Sequence, residues 1–268
     1  VTTGNDGTAK FTADLPLGFS YDVKEVQAPE GYLRNADDVY TFTFSYTNDK
    51  EAKLTFKHTF KNERVTAKIS LQKQDKETKK AVPQGDATLE KAVYGLYARE
   101  DIVHPDGATG VIYEAGEQVA TLTTDKNGQA SVDGLYLGNY YVKEITPPTG
   151  YLADEEEHDL VCNYEGDFVA EVKRDCLSLE QVMKQPFEII KAANNGKTDA
   201  DLLKGAGFTA YLVSSLTVKE DGSYDFGSAK PVVIGENGAT EIFTDEKGYA
   251  RSIAIPYGTY IVRETTTP

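Results

Sequence analysis

The chain contains no tryptophan, one methionine, two cysteines and three histidines, and each scarcity removes a class of function. Its apolar runs fall far short of the roughly 20 residues that cross a bilayer as a helix. Val1 does not open a signal peptide, so the chain as given reads as soluble, and its cellular address has to come from other features. Cys162 and Cys176 make neither a CxxC pair nor a disulfide framework. A hairpin turning near Gly166 would set Cys162 opposite about residue 170, so the two read as buried thiols rather than a bridge. His58, His104 and His158 lie far apart without ligand spacing, and no metal centre is expected. Positive charge is also short: 28 Lys and Arg against 43 Asp and Glu leave a net charge of −15, which repels nucleic acid and anionic membrane surfaces.

Enzyme signatures are missing as well. There is no GxSxG, no paired cysteine and histidine motif and no phosphate loop. GAGFTA at Gly205 imitates a dinucleotide fingerprint, but FTAYLV after it alternates like a strand rather than opening a helix. DKNG at Asp125 starts like a calcium loop and then lacks the later glycine and bidentate acid. No conventional catalysis and no cofactor are expected.

What is present is a globular composition, 40% apolar and 26% charged, which argues against disorder. There is also internal repetition. YDVKEVQAPEGY begins at Tyr21, YYVKEITPPTGY at Tyr140 and YIVRETTTP at Tyr260, at offsets of 119 and 120 residues. Upstream of each lies a matching approach: NDGTAKF, TDKNGQASV and TDEKGYARS. Their Asp/Asn and Gly clusters predict tight hairpins between strands of period two. ISLQKQD, FEIIKAA, AVYGLYA and AGFTAYLV read as further strands, while Ser178 to Lys184 and Thr88 to Ala92 carry weak helical hints. Short strands and Gly-rich turns predict an all-β fold of tandem antiparallel sandwiches. Residues 1–64 would be the back of a first repeat, 65–184 a complete second repeat and 185–268 the front of a third, so the chain reads as an excerpt from a longer array.

Side chains alternate across a strand, and parity therefore assigns faces. Glu25 falls in line with Tyr21 and Val23, Glu144 with Tyr140 and Val142, and Glu264 with Tyr260 and Val262. Lys73 lines up with Ile69 and Leu71, and Lys191 with Phe187 and Ile189. Asn62 completes a row with Leu54, Phe56, His58 and Phe60. These residues are either edge acids, rim lysines and strand-end polar groups in contact with solvent, or desolvated groups that must be neutralised, paired or consumed. Desolvation favours a neutral amine beside a protonated acid. A neutral amine next to a carboxamide can attack it, release ammonia and leave a Lys–Asn isopeptide bond.

The Y-x-V-K-E-x-x-x-P-x-G-Y box, the TDxxG turn and the inward lysine of the opening strand resemble the B-type repeats of Gram-positive collagen adhesins and SpaA-type pilin domains. This resemblance spans nearly the whole chain. It implies immunoglobulin-like or transthyretin-like (prealbumin-like) sandwiches on the cell wall, stiffened by internal lysine to asparagine or aspartate crosslinks. It further implies that Lys73 and Lys191 are crosslinking lysines, Glu25, Glu144 and Glu264 the promoting acids, and Asn62 an acceptor. The lysine matching Asn62 would lie before Val1, and the acceptor matching Lys191 beyond Pro268. Within the second repeat the acceptor expected is Asp175, although its parity joins it to Glu171 and Lys173, so a bulge would have to turn it inward.

The function expected is a non-enzymatic stalk segment of an extracellular, cell-wall-anchored adhesin or pilus-like protein. Two other readings stand beside it. One is an adhesive module that binds host matrix protein or glycan through insertions such as Arg99 to Glu117 and Ser214 to Ile234. The other is a pilin backbone polymerised by a sortase, although no LPxTG-like or YPK-like motif occurs here.

Overall fold

The computed structural model describes residues 1–46, 54–194 and 201–268. The strands used below are β1 (Phe19–Lys24), β2 (Val39–Phe44), β3 (Thr66–Asp75), β4 (Val93–Ala98), β5 (Gln118–Thr123), β6 (Gln129–Leu135), β7 (Gly138–Thr146), β8 (Glu157–Cys162) and β9 (Glu171–Glu180). They continue with β10 (Glu188–Ile190), β11 (Gly207–Leu212), β12 (Glu241–Phe243), β13 (Tyr249–Arg251) and β14 (Tyr260–Thr266). Helix among the described residues is limited to two short 3-10 turns at Val213–Ser215 and Glu236–Gly238. The helical hints fail: Ser178 to Glu180 close β9, and the chain near Leu89 turns at Lys91, whose φ is 67°.

The middle sandwich is the fullest unit. A sheet ordered β8-β7-β4-β5 faces a sheet ordered β9-β3-β6. Between them lie Ile69 and Leu71 of β3, Tyr94 and Leu96 of β4, Tyr140 and Val142 of β7, and Val172 and Cys176 of β9. Burying each large apolar side chain of this kind contributes about 1.5–3 kcal/mol, which is the main force closing the two sheets. Cys162 and Cys176 are both buried and free. Burial pushes the Cys176 thiol up to about 11, which leaves it unreactive.

Two details depart from an antiparallel reading. First, β9 runs parallel to β3, with Thr66 beside Glu171 and Asp75 beside Glu180. A whole sandwich separates these strands in sequence, so no hairpin constrains their direction. Second, the TDxxG segments are not hairpins. The turn at Asp125 to Gly128 joins β5 in one sheet to β6 in the other, and the turn at Asp245 to Gly248 likewise joins β12 to β13 across sheets. At Asn5 to Gly7 the turn forms, with Gly4 O accepting from Gly7 N at 2.9 Å, but no ladder follows it.

The flanking units are sparser. The first contains the β1–β2 pair, against which Phe56 and His58 stack on Phe42 and Tyr40 at 4.5 and 4.6 Å. The third contains a β12-β11-β14 sheet and a β10–β13 pair. Both junctions repeat one pattern of backbone bonds. Val65 N donates to Gly31 O and Leu33 N to Glu63 O, both at 2.8 Å. Met183 N donates to Gly150 O at 2.8 Å and Leu152 N to Gln181 O at 3.0 Å.

Candidate functional site

The TDxxG motif builds the floor of the site. Thr124 Oγ1 donates to Leu89 O at 2.6 Å and accepts from Ala92 N at 2.9 Å, which ties the approach to β4 onto the end of β5. Asp125 Oδ1 accepts from Asn127 N and Gln129 N at 2.8 and 2.9 Å, a side-chain-closed turn that frees the chain to cross between sheets. Gly128, at φ 72°, then passes so near β3 that a Cβ there would lie 2.8 Å from Lys73 O, and its own carbonyl accepts from Lys73 N at 2.8 Å. The third unit repeats every contact. Thr244 bonds Leu203 O and Ala206 N, Asp245 Oδ1 accepts from Lys247 N and Tyr249 N, and a Cβ on Gly248 would lie 2.5 Å from Lys191 O. The motif therefore fixes the backbone of the inward lysine.

Lys73 and Glu144 meet in the middle sandwich. Their side chains are 0% and 1% exposed, and Lys73 Nζ lies 3.2 Å from Glu144 Oε1. The other oxygen of Glu144 accepts from Asp154 N at 2.8 Å, and His158 Nε2 braces Asp154 Oδ2 at 3.1 Å. Asp154, Glu156 and His158 bring ligating atoms within 4.8 Å of one another, a grouping that histidine spacing alone does not reveal.

The third member of the cluster is Glu180, not Asp175. Strand β9 keeps an unbroken register along β3, so parity holds throughout: Val172, Cys176, Ser178 and Glu180 point inward while Lys173, Asp175 and Leu177 are exposed. No bulge turns Asp175 in, and its backbone lies beside Ser70 rather than Lys73. Glu180 Oε1 instead contacts Lys73 Nζ directly. The same oxygen accepts from Tyr94 Oη at 2.6 Å and from Ser178 Oγ at 3.0 Å, and Lys73 Nζ donates to Tyr94 Oη at 3.1 Å. Glu180 Oε2 is buried without a partner.

Electrostatics in this dry cluster follow from burial. Desolvation lowers Lys73 to about 8, against the partial opposition of the Glu144 charge. Burial pushes the Tyr94 hydroxyl far above its ordinary value, which keeps it a proton donor. Asp75, the next inward residue of β3, is buried, yet hydrogen bonds from Thr78, Gln84 and Tyr151 outweigh that burial and hold it below the usual carboxylate range. Tyr151, the final tyrosine of the repeated box, thus reaches Asp75 Oδ2 at 3.0 Å from the loop after Glu144.

The flanking units hold parts of the same set. In the first, Asn62 Nδ2 donates to Glu25 Oε2 at 2.6 Å and to Leu33 O at 2.8 Å. In the third, Lys191 Nζ lies 2.6 Å from Glu264 Oε2, with side chains 27% and 31% exposed. Sequence reasoning missed Glu180, Tyr94 and Ser178. A signal for Glu180 existed, because Asn62 and Glu180 each stand eleven residues before the next inward lysine, Lys73 or Lys191.

Several known proteins are similar to this chain. The chain aligns over 99% of its length with the Bacillus anthracis TIE protein at 24% identity and a TM-score of 0.60, spanning 39% of that chain. A streptococcal ancillary pilin aligns with 95% of the chain and 68% of its own length at 20% identity and a TM-score of 0.30. The shaft pilin SpaA of Lactobacillus rhamnosus GG aligns with 76% of the chain and 88% of its own length, at 18% identity and a TM-score of 0.29. Among curated proteins there is no match. The family model of the SpaA prealbumin-like fold domain matches residues 1–59 and 67–175, so the chain belongs to the family of SpaA prealbumin-like fold domains.

Proposed function

We propose that this chain is a stalk segment of a bacterial cell-surface adhesin or pilus-like protein, built of serial units over 1–64, 65–184 and 185–268 that transmit tension along the chain. The observation carrying this reading is the buried contact of Lys73 on the first strand with Glu180 on the last strand of the middle sandwich, beside Glu144 of the opposing sheet. Force entering at Thr66 and leaving at Glu180 loads β3 and β9 in shear, because the strands are parallel and their loaded ends are opposite. A link from Lys73, at the far end of β3, to Glu180, at the loaded end of β9, would carry that load past everything between them.

In this reading the units are stiffened by internal isopeptide bonds, with Glu25, Glu144 and Glu264 as the promoting acids. Lys73 and Lys191 act as crosslinking amines and Asn62 as an amide acceptor. The matching backbone bonds at the two junctions suit a rod whose units repeat one docking geometry. The localisation that follows is extracellular and wall-anchored, with a sortase acting on the full-length protein.

The test is binding. The purified chain is expected to ignore collagen, fibronectin and glycan arrays, while in-frame removal of 65–184 from the surface protein shortens its reach from the wall in immunoelectron microscopy. Saturable binding of the purified chain to any of these ligands would replace the stalk reading with an adhesive one.

A further inference from the structure

The geometry points to Lys73 and Glu180 as the two ends of an amide crosslink that the folded middle sandwich forms by itself, with Glu144 as proton carrier and Tyr94 and Ser178 orienting the acceptor. The inference deepens the stalk reading and rests on it for its purpose, but not for its chemistry. It assigns the acceptor role to a glutamate, where the resemblance implies asparagine or aspartate.

Four observations carry it. Lys73 Nζ and Glu180 Oε1 are in direct contact inside a site from which water is excluded. Glu180 Oε1 is held by two hydroxyl donors, Tyr94 Oη at 2.6 Å and Ser178 Oγ at 3.0 Å, the arrangement that steadies a carbonyl oxygen while its carbon is attacked. Glu180 Oε2, by contrast, is buried with no partner, whereas both oxygens of Glu144 are satisfied. An orphan of this kind is costly in a folded protein, and here it is the atom that condensation removes. Finally, one amine and two carboxylates share the cluster, so full ionisation would leave an uncompensated negative charge in a dry interior, which is strongly disfavoured.

The step balances without any co-reactant. Lys73 gives a proton to Glu144 and its free amine attacks Cδ of Glu180. The Nζ–Cδ bond forms, the Cδ–Oε2 bond breaks, and Oε2 leaves as water carrying one proton returned by Glu144 and one from the attacking nitrogen. Ammonium and carboxylate are thereby converted to a neutral amide and water, and Glu144 ends ionised. Holding the groups in contact supplies an effective concentration on the order of 10⁵–10⁸ M, and exclusion of water disfavours reversal.

The test is the intact mass of the full chain under denaturing conditions, followed by protease mapping. The native chain is expected to be lighter by one water, with the Lys73 peptide joined to the Glu180 peptide. Glu180→Gln is expected to be lighter by one ammonia and to give the same joined peptide, because the leaving group changes while the product does not. Glu180→Ala is expected to keep its full mass. An unmodified native mass in a chain that melts cooperatively overturns the inference, as does a water loss mapped to Asp175 or any other pair. If a variant fails to fold, the native mass decides alone. An unmodified chain that still ignores collagen, fibronectin and glycans removes the bond and leaves the stalk; a linked chain that binds one of them does the reverse.

Discussion

The Lys73–Glu144 pair and the Lys191–Glu264 pair come from the same strand motifs and the same TDxxG turn, yet they are different physical objects. The first is fully withdrawn from solvent, and the second is more than a quarter exposed on each side. The difference is the strand that covers the lysine. Strand β9 lies along β3 and delivers Tyr94-bonded Glu180 and Ser178 onto Lys73, whereas β10 pairs with β13 alone among the described strands. Among the described strands, the inward lysine is withdrawn from solvent where a second strand closes over it and stays partly solvated where none does.

That contrast can be broken by mutation. Lys73→Ala would remove the proposed crosslink and leave Glu144 and Glu180 as buried carboxylates with no cation, and is expected to destabilise the middle sandwich by about 3–5 kcal/mol or more in denaturant unfolding followed by a probe within 65–184. A loss below about 1 kcal/mol would make the two sites equivalent. Gly128→Ala is expected to cost about 1–3 kcal/mol, because the added Cβ meets Lys73 O and φ is positive. Gly7→Ala, with the same φ of 72° but nothing within 4 Å, should cost less in denaturant unfolding followed by a probe within 1–64.

A pH series sharpens the comparison further. In the unlinked native sequence burial lowers the amine of Lys73 from 10.5 to about 8, and Glu180→Ala, which cannot link and keeps the amine buried, is expected to show a shift in the same direction. Between those values the unfolded chain holds a proton that the folded chain has released, so stability rises with pH, by at most about 1.4 kcal/mol per unit. Below about pH 8 both states are protonated and the slope disappears. A native chain linked as proposed has no free Lys73 amine and should show no such rise in chemical denaturation from pH 7 to 11. The smallest effect belongs to Lys191→Ala, expected within about 1 kcal/mol of the native chain because the pair is solvated; a larger loss would show that its site is closed over in solution.

Much of this was legible in the chain. Parity along YYVKEI and ISLQKQD placed Glu144 and Lys73 on inner faces, and the repeat placed Glu25 and Glu264 at the same step of their strands. Asp175 does not reach Lys73, for a reason parity had already given: it points outward, and β9 has no bulge to reverse it. Glu180 stayed hidden because Ser178 to Lys184 carried a helical hint and because glutamate departs from the expected acceptor type. The TDxxG segments were legible as turns but not as crossings between sheets, since a turn's residues encode its local geometry and not the partners of the strands it joins.

Sequence alone settled the all-β character, the repeat, the turn positions and the inward side of Glu144 and Lys73, because these depend on local backbone geometry and a period of two. Only the tertiary structure decided which lysine became dry and which carboxyl reached it. That outcome depends on a parallel pairing between strands nearly a whole sandwich apart and on the opposing sheet that shuts water out, and neither is encoded within any single segment.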